Sequence, residues 1–292
     1  MERDLTWNAL SMVRKILEML PWRGALALGG ALGGLVWALD KRRVDGAEAR
    51  CVRALGVGVT RARRVVRGSY TNLGRSVAEF LLLPGMRRDL ERRVTVHGEE
   101  HLRRALEEGH GVILLTAHFG SWELAAATVA ALGFPINAIG AEQRDPRITE
   151  LVATLREAVG VRTIGKGFDL KGALRCLRRG EILGVLLDQD ARSAGVVVPF
   201  LGYAASTPYG PVKMAAKLGA RVVPLFMVRR QDGQHHDLFL LPPLGEAGGK
   251  PFGEDEVASA ALCNEVLSAW IRRHPDHWMW LYPRWASTKA LP

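Results

Sequence analysis

The stretch "GVILLTAHFGSWELAAATVAAL", residues 111–132, ends an apolar run on His118 and places Glu123 five positions later, where a helical pattern starts. An imidazole with a carboxylate nearby is an acid–base pair. Neutral histidine takes a proton from a hydroxyl, and a carboxylate fixes its tautomer and stabilises the imidazolium that forms. Residues five apart do not share one helical face. The spacing becomes workable when His118 lies in a turn and Glu123 in the first turn of the following helix. Gly120 then frees the turn, and Ser121 is placed to cap the helix. The helix N-terminus also offers N–H groups to an anion. On spacing alone, a satisfied buried histidine followed by a helix-start charge reads equally well.

Other chemistries fit the sequence poorly. A zincin needs H-E-x-x-H on one helix, and no second histidine follows His118 for more than a hundred residues. The G-x-S-x-G of a serine hydrolase is missing from "FGSWE". "GVRTIGKG", residues 160–167, approaches a phosphate loop, but Gly167 stands where Ser or Thr must hold Mg²⁺. Cys51, Cys176 and Cys263 are far apart and form no C-x-x-C. They read as reduced thiols of a chain facing the cytoplasm, with no metal site and no cofactor expected.

The elements around His118 alternate. From residue 94, β-rich runs at 94–98, 111–118, 136–140, 161–165, 182–189, 196–202, 221–229 and 236–244 are separated by helical stretches near 99–108, 121–132, 146–159, 169–179 and 208–218. A closing helix fills about 254–273. This rhythm predicts an α/β fold with a largely parallel central sheet flanked by helices. Ligands of such sheets sit beyond the carboxyl ends of strands. His118 falls at one such end, and Asp188 and Gln189 fall at another.

The first quarter reads differently. Leu5, Ala9, Met12, Val13, Ile16, Leu17 and Leu20 recur at helical spacing up to Pro21. Residues 24–39, "GALALGGALGGLVWAL", are uncharged, shorter than the roughly 20 residues of a spanning helix, and carry five glycines. Residues 1–43 are therefore expected to form membrane-associating helices ahead of an α/β domain at 44–292, with a buried core helix pair as the alternative. A further helix is expected over 59–84, ending at Pro84. The 292 residues are 48% hydrophobic and carry a net charge of +10, much of it in arginine pairs early in the chain. That field attracts anionic lipid or an acidic carrier protein. Nucleic acid is not expected, because no recognition motif accompanies the charge.

In register along residues 60–286, the chain resembles the bacterial late acyltransferases of lipid A biosynthesis, the lauroyl/myristoyl acyltransferase family with its H-x-x-x-x-D/E motif. The matching blocks are "SYTNLGRSVAEF" (69–80), "GHGVILLTAHFGSWEL" (109–124), "TLREAVGVRTI" (154–164), "LLDQDARSAGVVVPFLGYAASTPYGPVKMAAKLGARVVPLF" (186–226) and "IRRHPDHWMWLYPRW" (271–285). The resemblance implies a glycerolipid-acyltransferase-like fold, His118 as general base and Glu123 as its partner. It places Arg156, Asp188 and Gln189 near the substrate, with Arg156 meeting a phosphate or the thioester oxygen. The implied reaction moves an acyl chain from a thioester of acyl carrier protein or coenzyme A to a hydroxyl of a lipid A precursor. It uses no metal, no cofactor and no covalent enzyme intermediate, at the cytoplasmic face of the inner membrane.

The sequence departs from the family pattern at Ala141 and Asp145, before Pro146, and at the ending Tyr282-Pro283-Arg284-Trp285. These positions keep other readings in play. One is an acyltransferase for another glycolipid, such as a phosphatidylinositol mannoside. The others are a non-catalytic membrane-binding scaffold and a hydrolase that needs no acceptor. Trp278, Trp280 and Trp285 read as packing or interfacial anchors, and Ser206 and Thr207 as caps of the next helix.

Overall fold

A computed structural model of the chain describes residues 2–87, 89–140, 142–165, 169–247 and 249–291. Ala141 and Gly167 lie outside the described residues. Four helices come first: α1 (Glu2–Met19), α2 (Trp22–Leu39), α3 (Lys41–Leu55) and α4 (Val59–Met86). A short α5 (Leu90–Arg93) leads into β1 (Val94–His97), α6 (Glu99–Glu107), β2 (Val112–Thr116), α7 (Trp122–Ala131) and β3 (Ile136–Ile139). Then come α8 (Pro146–Glu157), β4 (Arg162–Ile164), α9 (Leu170–Arg178), β5 (Ile182–Leu186), β6 (Val196–Phe200) and β7 (Tyr203–Thr207). The chain finishes with α10 (Gly210–Leu218), β8 (Arg221–Arg229), β9 (His236–Leu240), the two-residue strands β10 (Glu246–Ala247) and β11 (Lys250–Pro251), and α11 (Glu256–Arg273).

Among the described residues, seven strands form the central sheet in the order β1-β9-β8-β2-β5-β3-β4. Its neighbours run parallel except β8 and β9, which are joined by a hairpin and therefore pair antiparallel. The expected, largely parallel α/β sheet is what the chain forms. β2 is buried along its whole length, as a central strand covered on both faces must be. Alternation along the strands sends Val112, Leu114, Ile182, Val223 and Leu225 to one face, where they meet Leu102 of α6 and Leu124 and Ala125 of α7. Ile113, Leu115, Leu183, Val185 and Phe226 face the other way, onto Cys176 of α9, Met214 of α10, Leu267 of α11 and the C-terminal tryptophans.

Several elements differ from the sequence reading. The run 196–202 is one arm of a hairpin, β6 with β7, outside the central sheet. α3 occupies a segment to which the sequence reading assigned no element, although Val44, Ala47, Cys51 and Ala54 recur among its charges at helical spacing and form its buried face. α4 passes through Pro84 to Met86; the proline forgoes its own N–H bond back to the Phe80 carbonyl, and only two helical residues follow it.

The glycines of α2 have a packing reason. A Cβ at Gly33 would stand 2.1 Å from the Tyr70 carbonyl oxygen of α4, and one at Gly29 would stand 2.6 Å from that of Gly74. The two backbones touch, so the side of α2 that bears these glycines is spent on α4. The outward side shows Leu35, Val36 and Leu39, and α1 shows Leu5, Met12, Ile16 and Met19. Among the described residues, α2 alone is long and apolar enough to cross a membrane.

Candidate active site

Sheet register builds the site. β2 and β5 are adjacent and parallel, with Thr116 beside Leu186, and Leu187 N–H donates to the Thr116 carbonyl at 3.0 Å. Two residues further along each strand stand His118 and Asp188. The imidazole Nδ1 lies 2.9 Å from Asp188 Oδ1, and the His118 backbone N–H donates to Oδ2 at 3.0 Å. Trp278 adds a third donor, its indole Nε1–H reaching Oδ2 at 2.8 Å.

The carboxylate on the imidazole is thus Asp188. Glu123, which the family resemblance implied as the partner of the histidine, sits in the first turn of α7 and is bound by Arg156 of α8. The guanidinium grips it in a fork, Nε to Oε2 at 2.9 Å and Nη2 to Oε1 at 2.7 Å. Strand register carries seventy residues of sequence separation to zero in space, and the five-residue spacing had no means of competing with that.

Charge couples the four groups. Burial disfavours the His118 imidazolium, but the Asp188 carboxylate, its hydrogen bond and the negative charge of Glu123 outweigh this and hold the histidine above its ordinary pKa. Asp188 is buried too, which favours its acid form. The His118 charge and the donors from His118 and Trp278 reverse that and hold it below the usual carboxylate range. With Nδ1 committed to Asp188, the other ring nitrogen, Nε2, is the proton acceptor available to a substrate.

A turn of fixed geometry carries His118. Gly120 has φ +57°, and a Cβ there would lie 1.9 Å from the Met227 carbonyl oxygen. Its N–H donates to the His277 carbonyl at 2.8 Å, and its own carbonyl accepts from Ser76 Oγ at 3.1 Å. Met279 N–H donates to the His118 carbonyl at 3.1 Å, and Phe119 pairs with Trp278 in an antiparallel bridge. A 3₁₀ turn at Pro275–His277, followed by the single bridge residue Trp278, therefore lies across the turn and pins it. Ser121 precedes α7 at the capping position, but its hydroxyl makes no cap hydrogen bond.

A cavity of about 330 Å³ opens beside these groups, within the range of roughly 300–1,000 Å³ common for ligand pockets. His118, Glu123, Arg156 and the exposed Gln189 supply polar groups, and Trp122, Ile139, Leu186 and Leu225 are among its apolar walls. All five residues singled out from the sequence are at this site: four line the cavity, and Asp188 stands behind His118.

A family model described as bacterial lipid A biosynthesis acyltransferase matches residues 3–287. The chain belongs to that family. It is 27% identical to the lipid A biosynthesis lauroyltransferase of Escherichia coli (strain K12) over 289 residues, 96% of this chain and 90% of the relative. It is 26% identical to the palmitoleoyltransferase of the same organism over 286 residues, again 96% and 90%. A phosphatidylinositol mannoside acyltransferase of Mycolicibacterium smegmatis is 24% identical over 226 residues, 76% of this chain and 72% of that one.

Within this acyltransferase chain the unusual positions have structural work. Asp145 caps α8, accepting from Arg147 N–H at 3.0 Å and binding the Arg147 guanidinium. Arg284 is fully buried, donating to Thr207 Oγ1 at 2.7 Å and lying over the Phe200 ring; burial pushes its pKa down to about 10. Thr207 accepts from Asn264 as well, and Ser206 Oγ donates to the Arg192 carbonyl, so neither caps α10. Trp280 and Trp285 are packed in the core, as expected. Trp278 is packed there too, yet its N–H reaches Asp188, a contact that no sequence signal announced. Burial raises all three cysteine thiols to about 12, which leaves them inert.

Proposed function

We propose that this chain transfers an acyl group from a thioester, with acyl carrier protein as the favoured donor, to a hydroxyl of a lipid A precursor. The observation that carries the reading is the His118–Asp188 pair at the mouth of a largely apolar cavity, in a chain of the lipid A acyltransferase family. His118 Nε2 takes the proton of the acceptor hydroxyl as its oxygen attacks the thioester carbonyl carbon. The tetrahedral intermediate collapses by breaking the C–S bond, and the imidazolium returns the proton to the leaving thiolate. Asp188 fixes the tautomer and stabilises the imidazolium. A base so placed contributes about 10²–10⁴ in rate.

Arg156 is the group for the negative charge on the former carbonyl oxygen. Of the five N–H donors of a guanidinium, two are used on Glu123 and one on the Ile139 carbonyl, leaving two. Glu123 fixes the plane of that guanidinium and adds the charge that keeps His118 basic. Gln189, at the rim, is placed to meet the polar part of a substrate.

The exposed apolar faces of α1 and α2 are the surfaces for the cytoplasmic leaflet of the inner membrane. Lys41, Arg63 and Arg67 gather around the Trp37 ring, each within 5.5 Å of its centroid, a cationic and aromatic combination suited to anionic headgroups.

The test is acylation of three acceptors side by side: a Kdo-bearing lipid A precursor, a phosphatidylinositol mannoside and water. Each is incubated with a labelled acyl-carrier-protein thioester and followed by mass. Gain of one acyl chain on the lipid A precursor supports the reading. Gain only on the mannoside moves the acceptor to that class, and release of free acid alone overturns transfer.

A further inference from the structure

The cavity reaches the middle of the sheet because one side chain is missing. On the face toward α7, β5 presents Ile182, Gly184 and Leu186. Register sets Gly184 beside Leu114 of β2 and Ala138 of β3. β5 lies between β2 and β3 in the central sheet, where a strand interior disfavours glycine. Yet Gly184 is partly open while its neighbours Leu183 and Val185 are buried, and it lines the cavity.

Nothing in the backbone demands glycine here. Gly184 is not among the residues with left-handed φ. An added Cβ meets only the Asn137 carbonyl oxygen, at an ordinary 3.5 Å. Gly120, by contrast, has no room for any side chain. The space above Gly184 belongs to the cavity, and glycine inside a strand commonly marks the close approach of a ligand.

Depth can be read along the strands. The lining residue farthest from the His118 edge is Ile136, whose row contains Ile182 and Val112. At about 3.3 Å per strand residue, that row lies roughly 20 Å from the level of His118, and the Gly184 row roughly 13 Å. A side chain at 184 separates the upper part of the cavity from the part ending at Ile136.

We propose that Gly184 sets the length of acyl chain this protein accepts, its missing side chain opening the trough between Leu114 and Ala138, and that Ile136 forms the inner end. This rests on the acyltransferase reading for the direction in which the chain lies, carbonyl at His118 and methyl end at Ile136. Gly184 is then a specificity-determining residue that takes no part in proton transfer.

Two measurements on the full chain test it, using wild type, Gly184→Val and Ile136→Ala. The first is kcat/KM for acyl-carrier-protein thioesters from octanoyl to stearoyl. The second is equilibrium binding of the matching free fatty acids by calorimetry, which needs no turnover. In Gly184→Val the ratio of long-chain to octanoyl kcat/KM is expected to fall by about tenfold or more, and binding should stop tightening at a shorter chain. Ile136→Ala should move both limits to longer chains. Length profiles in Gly184→Val parallel to wild type, in transfer and in binding, overturn the proposal, as does a wild-type protein that binds no fatty acid. A wild type that transfers nothing, with a binding limit that still shifts in Gly184→Val, sinks the acyltransferase reading and keeps the assignment of Gly184. Should Gly184→Val fail to fold, Gly184→Ala, whose Cβ has room, and Ala138→Val in the same row give the same comparison.

Discussion

Asp188 receives three hydrogen bonds, two from His118 and one from Trp278, and is held ionised while buried. Removing its charge removes what keeps the histidine basic and in one tautomer. Asp188→Asn is therefore expected to lower acceptor-dependent kcat by about 10²–10⁴. The sign of the accompanying pH effect follows from the direction of the His118 shift. The base works when neutral, so a raised pKa places the acid limb of the wild-type rate profile above that of an ordinary histidine. Asp188→Asn should move that limb to lower pH; an unmoved limb in a folded variant counts against the pair. At this scale the sequence announced His118, Glu123, Arg156, Asp188 and Gln189 as site residues. It did not announce who bonds to whom, because Asp188 meets His118 through the β2–β5 register and Trp278 arrives from the last twenty residues. A hydrogen-bond partner set by sheet order leaves no trace in local spacing.

The elements were legible where periodicity is strong. Buried strands of a parallel sheet read as apolar runs, so β2, β5 and β8 stand out, and Gly120 marks a turn only glycine fits. β7 does not stand out, since "YAAST" lacks the bulk of a core strand. The five glycines of residues 24–39 marked the run as a poor membrane span, while the helix–helix contact that Gly29, Gly30 and Gly33 serve depends on α4, some forty residues away. That contact makes a prediction. Gly33→Val forces a side chain onto the Tyr70 carbonyl and should cost about 3 kcal/mol in urea denaturation. Gly34, with open space at its Cβ, should accept alanine with a gain of roughly 0.5–1 kcal/mol.

A second element-scale effect ties α4 to the end of the sheet. Glu79 of α4 is fully buried against Arg229, Oε2 to Nη2 at 2.8 Å, with His236 Nε2 3.3 Å from Oε1. Burial pushes His236 down to about 4. The unfolded chain therefore takes up this proton first as the pH falls from about 6.5, and stability drops until about pH 4, by up to about 3 kcal/mol. His236→Gln should lose less stability over that window, measured by denaturation at its two ends. An equal loss in both proteins would remove His236 as the cause.

At the scale of the whole molecule, one end of the sheet carries the polar site and the N-terminal helices carry most of the large exposed apolar side chains, with a net charge of +10 to favour anionic surfaces. Co-sedimentation with vesicles should rise with phosphatidylglycerol content and fall when Leu35, Val36 and Leu39 are replaced together by serine. Binding that ignores both changes would mean that α2 does not meet the lipid. The most direct measurement of the central claim is the time course of acyl gain on the lipid A precursor by wild type and by His118→Ala at equal concentration. The expected result is one acyl chain added by wild type and a rate about 10²–10⁴ lower in the variant. Equal rates from the two folded proteins would contradict His118 as the base.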